Sequence, residues 1–176
     1  MKTLILYVTT RGATADCARR LAAALGDDTE VCELNRFFGN PSQYDCVVVG
    51  APVYAGAIPK EMKTYCRENR AELLKKPFAV FFSCLSEDGH TTQEYLRRNF
   101  SGGLAEHAFA CDSFGGAFYF KKMNPLERAV DRAIVKTYAK SNGSKVPGHA
   151  DDFVTISEER IAAFAGRVKE AAGQTS

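Results

Sequence analysis

Thr9, Thr10, Arg11, Gly12, Ala13 and Thr14 follow the apolar run 4–7 and lead straight into residues 17–22, which have helical character. Hydroxyls, one glycine and one cation between a strand and a helix match the needs of an anion. Backbone N–H groups at a helix start point outward unpaired, the helix dipole favours negative charge there, glycine permits a tight curl, and small hydroxyls donate without bulk. A phosphate group fits that chemistry. An ordinary strand-to-helix turn capped by Thr10 or Thr14 uses the same residue types, so the loop alone leaves both readings open. Two other phosphate motifs are excluded: no lysine follows Gly12, as a nucleotide triphosphatase loop requires, and the three-glycine dinucleotide fingerprint occurs nowhere in the chain.

Three further stretches are small, flexible and polar. In residues 50–57, Tyr54 stands among Pro52, Val53, Ala55 and Gly56. A ring beside small residues can stack on a planar ligand while backbone approaches the ligand's edge, or it can merely shield a sheet end; next to a phosphate-type loop, stacking is expected. Ser83, Cys84, Leu85 and Ser86, with Gly89 allowing a turn, offer amides to the rim of a heterocycle. Gly115 and Gly116 precede Phe118, Tyr119 and Phe120, which either cover such a ligand or pack the chain that follows; packing is expected for Phe118 and Phe120. Cys84 is either reactive or an inert buried thiol. His90, His107 and His149 are dispersed, and neither Ser83 nor Ser86 has an evident base, so a metal site and a hydrolytic triad find no support.

These loops need a frame that brings them together. Residues 3–9, 29–34, 46–50, 78–83 and 107–114 read as strands, and 14–25, 59–72, 92–100 and 157–172 as helices. Alternation of that kind predicts an α/β fold with a doubly wound, five-stranded parallel sheet covered on both faces. Residues 47–49 and 78–82 are apolar at every position, as central strands must be. In such sheets ligands bind outside the carboxyl ends of the strands, where strand order reverses. A phosphoacceptor receiver would share the fold but needs clustered carboxylates at the ends of its first and third strands, where this chain has Thr9-Thr10 and Gly50-Ala51-Pro52. An additional stretch, about 115–155, precedes the last helix. Asn124-Pro125 is a helix start, after which Leu126, Ala129, Val130, Ala133, Ile134 and Tyr138 recur at three-to-four spacing, an apolar face for packing.

The 176 residues, 45% apolar, suit one domain. Six scattered cysteines without a C-x-x-C pair point to reduced thiols, and with no signal-like start a cytoplasmic location is expected. A net charge of +2 gives no reason to propose nucleic acid as a partner. Its distribution is uneven: residues 117–146 hold seven basic and two acidic side chains, so the remainder carries three net negative charges. Arg128, Arg132, Lys136 and Lys140 fall on one helical row. That row is a solvated face, a dock for substrate carboxylates, or an attachment to anionic lipid at the inner face of the membrane, where about 1 kcal/mol per basic residue exceeds the mutual repulsion.

On its loops the chain resembles the flavodoxin-like family over nearly its full length. The hydroxyl-rich loop of that family reads [ST]-x-T-G-x-T; Thr9, Gly12 and Thr14 match, while Arg11 stands for the middle hydroxyl and Ala13 for the frequent asparagine. The resemblance implies that this loop holds the phosphate of FMN and that residues 50–56 and 83–90 clasp the isoalloxazine, with the Ala55-Gly56 peptide near the reactive ring nitrogen. Within the family the chain is similar to the menaquinone-dependent protoporphyrinogen dehydrogenases, on its Met-Lys-Thr-Leu-Ile-Leu start, its Thr-Arg pair and its late basic insertion through Asp131-Arg132. Three functions follow. An FMN-dependent enzyme would pass electrons from a substrate such as a porphyrin to a quinone; a carrier would shuttle them between redox protein partners; a cofactor-free relative would serve as a binding module. Carriers of the family are strongly acidic, and this near-neutral chain favours the enzyme.

Overall fold

A computed structural model of the chain describes residues 2–86, 88–144, 146, 148 and 151–173; Glu87 and His149 lie outside the described residues. Strand β1 (Thr3–Tyr7) is followed by α1 (Ala13–Leu25), β2 (Thr29–Glu33), β3 (Cys46–Pro52), α2 (Lys60–Glu68), α3 (Arg70–Leu73) and β4 (Phe78–Ser83). Then come α4 (Gly89–Asn99), α5 (Leu104–His107), β5 (Ala110–Ser113), β6 (Ala117–Phe118), α6 (Pro125–Ser141), β7 (Phe153–Val154) and α7 (Glu158–Gly173). The main sheet is ordered β2-β1-β3-β4-β5 and every pair in it is parallel. Strand order reverses between β1 and β3, so the loops leaving those two strands flank the crevice where ligands of such sheets sit.

Alternate residues of the central strands feed two cores. Val47, Val49, Phe78, Val80 and Phe82 join Met62, Cys66 and Leu96 from α2 and α4 on one face; Cys46, Val48, Ala79 and Phe81 join Leu21 from α1 and Phe164 and Val168 from α7 on the other. All residues of β3 and β4 are buried, as their unbroken apolar runs predict. Among the described residues, no helix is long and apolar enough to cross a membrane.

Boundaries differ from the sequence reading where local chemistry intervenes. β1 stops at Tyr7 instead of residue 9, which gives Thr9 and Thr10 to the loop, while Thr14 falls in the first turn of α1. Expected helix 59–72 is two helices divided at Asn69, whose side-chain amide donates to the Tyr65 carbonyl at 3.0 Å. α4 starts three residues early because Asp88 caps it, accepting from the Thr91 N–H at 2.8 Å. Within the insertion, α6 begins at Asn124 with a full capping box closed by Glu127. The antiparallel pair β6–β7 was not legible, being two residues on each side.

Gly50 sits in the middle of β3 because the face it presents is taken by the Phe81 ring, which would lie 2.1 Å from an added Cβ. Phe81 cannot yield, being stacked on Phe114 at a centroid distance of 4.8 Å. Gly50→Ala is therefore expected to lower the free energy of unfolding by about 1–3 kcal/mol or more, read as a lower urea midpoint at unchanged slope. An unchanged midpoint would mean that the sheet and the Phe81–Phe114 stack are not packed as described.

Candidate functional site

The crevice is built from the first loop outward. Gly12 occupies the N-cap position of α1 in the left-handed region (φ 91°), and no side chain caps the helix. The outward amides of its first turn, at 13–15, thus stay available to an external acceptor. Thr9 Oγ1 accepts from the Gly12 N–H at 3.0 Å, and Thr14 Oγ1 shares a 2.7 Å hydrogen bond with Ser83 Oγ. Thr14 and Ser83 are both buried, so this bond ties the first loop to the end of β4. The two hydroxyls therefore shape the loop, while Thr10 stays exposed. The Arg11 side chain reaches from this loop to Asp131 of α6 and forms an ion pair with it.

After β3 the chain makes a two-residue turn. The Tyr54 N–H donates to the Ala57 carbonyl at 2.9 Å and the Ala57 N–H to the Tyr54 carbonyl at 3.0 Å. Both central residues, Ala55 (φ 49°) and Gly56 (φ 77°), are left-handed. For Ala55, the one non-glycine among the described residues in that region, the conformation costs about 1–2 kcal/mol. A buried α4 side chain holds it: Asn99 Nδ2 donates to the Gly56 carbonyl at 3.0 Å and its Oδ1 accepts from the Ile58 N–H at 3.1 Å. Tyr54, at the turn's entry, is 48% exposed and has its ring open to a partner.

Beyond β4, Cys84 Sγ donates to the Ser86 carbonyl at 3.5 Å and lies 3.3 Å from Ser113 Oγ at the end of β5. One cavity of about 530 Å³ collects these loops, within the range of small-molecule sites. Thr9, Thr10, Arg11, Ala13, Thr14, Pro52, Val53, Tyr54, Ala55, Ser83, Cys84, Leu85, Ser86 and Gly116 all line it. Four other residues singled out from the sequence do not. Gly12 lies behind the helix start, with Tyr119 3.8 Å from where its Cβ would be; Gly56 backs onto Arg98; Gly89 opens α4; and Gly115 packs on the Thr155 carbonyl, 2.1 Å from an added Cβ.

The far wall, apart from Phe118, was missed by sequence reasoning. Tyr95 of α4, Ala117 and Phe118 of β6, and Val130, Asp131 and Ile134 of α6 complete the lining. Phe118 both lines the cavity and packs on Phe120 and Phe153, whereas Phe120 is fully buried, as packing predicts. The expected inward face of α6 is corrected: Leu126, Val130 and Ile134 are 75%, 52% and 47% exposed, and Asp131, Val135 and Ala139 are buried instead. The helix is turned by one position because Asp131 meets Arg11 and Val135 packs with Phe120 and Met123. The basic row is also divided. Arg128 donates to the Phe120 and Met123 carbonyls, and Arg132 lies 4.5 Å over the Phe120 ring and donates to the Gly148 carbonyl. Lys136 and Lys140 remain exposed.

Burial pushes the thiols of Cys17, Cys46, Cys66 and Cys111 up to about 12, which keeps them protonated near neutrality. No cluster of three or more metal-ligating side chains occurs among the described residues. Under Gly12, the Tyr119 hydroxyl donates to Asp16 Oδ2 at 2.8 Å, which also receives Arg20. Burial raises the Asp16 carboxyl, yet the bonds from Tyr119 and Arg20 outweigh it and hold the group below its ordinary value. Burial and the bond to Asp16 push Tyr119 up to about 12.

An open parallel sheet ordered β2-β1-β3-β4-β5, with an uncapped first helix and an exposed ring at its switch point, defines a flavodoxin-like protein. The chain belongs to the flavodoxin family: the family model described as Flavodoxin domain matches residues 4–145. A protoporphyrinogen IX dehydrogenase [quinone] from Leishmania major is 28% identical over 146 residues, covering 77% of this chain and 62% of that protein, so the chain spans less than two thirds of this relative. Rubredoxin oxygen:oxidoreductase from Desulfovibrio gigas aligns at a TM-score of 0.56 and 17% identity, over 98% of this chain and 36% of the other. A Fusobacterium nucleatum flavodoxin bound to flavin mononucleotide aligns at 0.53 and 12% identity, over 97% and 98%. Both structures share the fold.

The Tyr119–Asp16 bond gives a pH signature. Because the folded-state value of Tyr119 is raised, its contribution is fully present below the unfolded value near 10 and is lost as pH rises through about 12. Stability measured across that window is expected to fall more steeply in the wild type than in Tyr119→Phe. Identical slopes would remove the bond.

Proposed function

We propose that the chain is a flavoprotein that binds FMN at this crevice and passes electrons through it. The observation that carries the reading is the uncapped start of α1 behind a left-handed Gly12, in one cavity with the half-exposed ring of Tyr54. The groups present suit such a cofactor. Amides at 13–15 and the Arg11 guanidinium meet a dianionic headgroup, the Tyr54 ring offers a stacking face, and the small residues 83–86 and Gly116 let backbone approach a heterocycle's edge. When bound, the flavin supplies the exchange of one or two electrons. The chain's own part is to orient the ring, to exclude water with Phe118, Val130 and Ile134, and to set backbone dipoles around it. Strain held at Ala55–Gly56 by Asn99 gives the turn a peptide that can serve two orientations.

Of the two redox roles, an enzyme that oxidises a flat, largely apolar substrate such as protoporphyrinogen and reduces a quinone is favoured over a carrier. Its support is the apolar wall contributed by α6, the lack of a strongly acidic charge balance, and the similarity to the Leishmania major enzyme. Membrane attachment through the basic row narrows to Lys136 and Lys140, alongside the exposed Leu126, Val130 and Ile134. At about 1 kcal/mol per basic residue near an anionic surface, those two give weak, salt-sensitive binding.

Purified protein is expected to be yellow or to become so with FMN, to release FMN on acidification, and to oxidise protoporphyrinogen with a menaquinone analogue. Colourless protein that ignores FMN would remove both redox roles, and flavin without that oxidation would leave the carrier. Anionic vesicles are expected to retain the protein at low salt and to lose it in Lys136→Glu/Lys140→Glu; equal retention would remove the membrane contact.

A further inference from the structure

Among the described residues, Arg11 is the only basic and Asp131 the only acidic side chain that lines the cavity, and they are bound to one another. They come from different layers of the molecule, Arg11 from the loop after β1 and Asp131 from α6, 120 positions later. The Asp131 side chain is 1% exposed and that of Arg11 27%. A carboxylate buried in a helix otherwise packed on apolar groups is costly unless paired, and pairing by itself is seldom better than an apolar replacement. The pair is also incomplete: Arg11 Nε and Asp131 Oδ1 are buried without a partner. A contact serving only to dock α6 gains nothing from these unmet groups.

Arginine has five N–H donors in a rigid planar fork suited to phosphate, and the hydrogen bond to Asp131 uses one of them. A long side chain free on a loop would lose its rotamer freedom when an anion bound; one already held by a carboxylate behind it would not. We propose that Asp131 is a positioning residue for the cofactor's phosphate, acting by holding the Arg11 guanidinium at the mouth of the first loop, so that the insertion helix takes part in headgroup recognition. This rests on the proposed FMN reading. It gives the insertion a role in cofactor selection, separate from any role as a wall for substrate.

FMN and riboflavin differ by the phosphate alone and separate positioning from mere support. Binding of each is measured by quenching of flavin fluorescence in the wild type, Asp131→Asn, Arg11→Gln and the double variant, with hydrogen exchange of residues 125–141 recorded in parallel without flavin. Each single variant is expected to lose about tenfold in FMN affinity, the size of one charge-assisted hydrogen bond, while riboflavin changes by less than about twofold. The double variant should be no worse than either single one, since both remove the same unit. Parallel losses for FMN and riboflavin, or additive losses in the double variant, would show that the pair only docks α6 and would overturn the proposal. A wild type with no preference for FMN over riboflavin would overturn the phosphate reading and this one together; a wild type with that preference, kept in Asp131→Asn, overturns this one alone. Should the single variants not fold, Arg11→Asp/Asp131→Arg preserves the ion pair but moves the cation, and is expected to keep α6 protected while losing the preference for FMN; a retained preference counts against the proposal.

Discussion

Unsatisfied amides at the start of α1 are the constraint around which the crevice is arranged. A helix that begins with glycine in place of a capping side chain forgoes roughly a few tenths of a kcal/mol and leaves its first amides unpaired, and here the cap position is given to a left-handed glycine. The nearby hydroxyls do not make up the deficit: Thr9 is bound to the Gly12 N–H and Thr14 to Ser83. They fix the loop's shape and leave its donors pointing out. In a parallel sheet the carboxyl ends of all strands share one edge, so those donors face the same space as the turn after β3 and the small residues after β4.

Other parts of the structure hold that space open and bounded. Asn99 fastens the Ala55–Gly56 turn to α4, which keeps a left-handed alanine in place and Tyr54 at the rim. The Thr14–Ser83 bond sets the distance between the two loops that would flank a cofactor. Tyr119 runs beneath Gly12 to Asp16 and fixes the β6 side to the first helix. The insertion therefore contributes in two ways, through the apolar side chains of α6 that face the cavity and through the carboxylate that reaches Arg11.

Residue types set by local physics were readable in the chain; those set by distant partners were not. β4 matches its expected bounds because five consecutive buried apolar residues, closed by the buried Ser83, read as a central strand, and α6 starts where Asn124-Pro125 places it. The three strand-end loops were also recognisable, since small polar residues after apolar runs have few structural uses. Helical periodicity, in contrast, chose the wrong face of α6: Leu126, Val130 and Ile134 look like a core stripe, but the pairing of Asp131 with Arg11 and the packing of Val135 turn the helix so that Leu126 meets solvent and Val130 and Ile134 border the open cavity. Gly115 was recognisable as unusual, yet its reason is the Thr155 carbonyl, far along the chain. Nothing local marks the reach of Asn99 to Gly56 and Ile58, much earlier in the chain, and β6–β7 was too short for a periodic signal.

Backbone amide shifts during an FMN titration test the central claim most directly, because they report on the donors themselves. The account requires the largest changes at residues 11–15, with a second group around Tyr54–Ala57, and riboflavin should reproduce the second group without the first. Shifts that spare the start of α1, or that centre on another part of the surface, would contradict it.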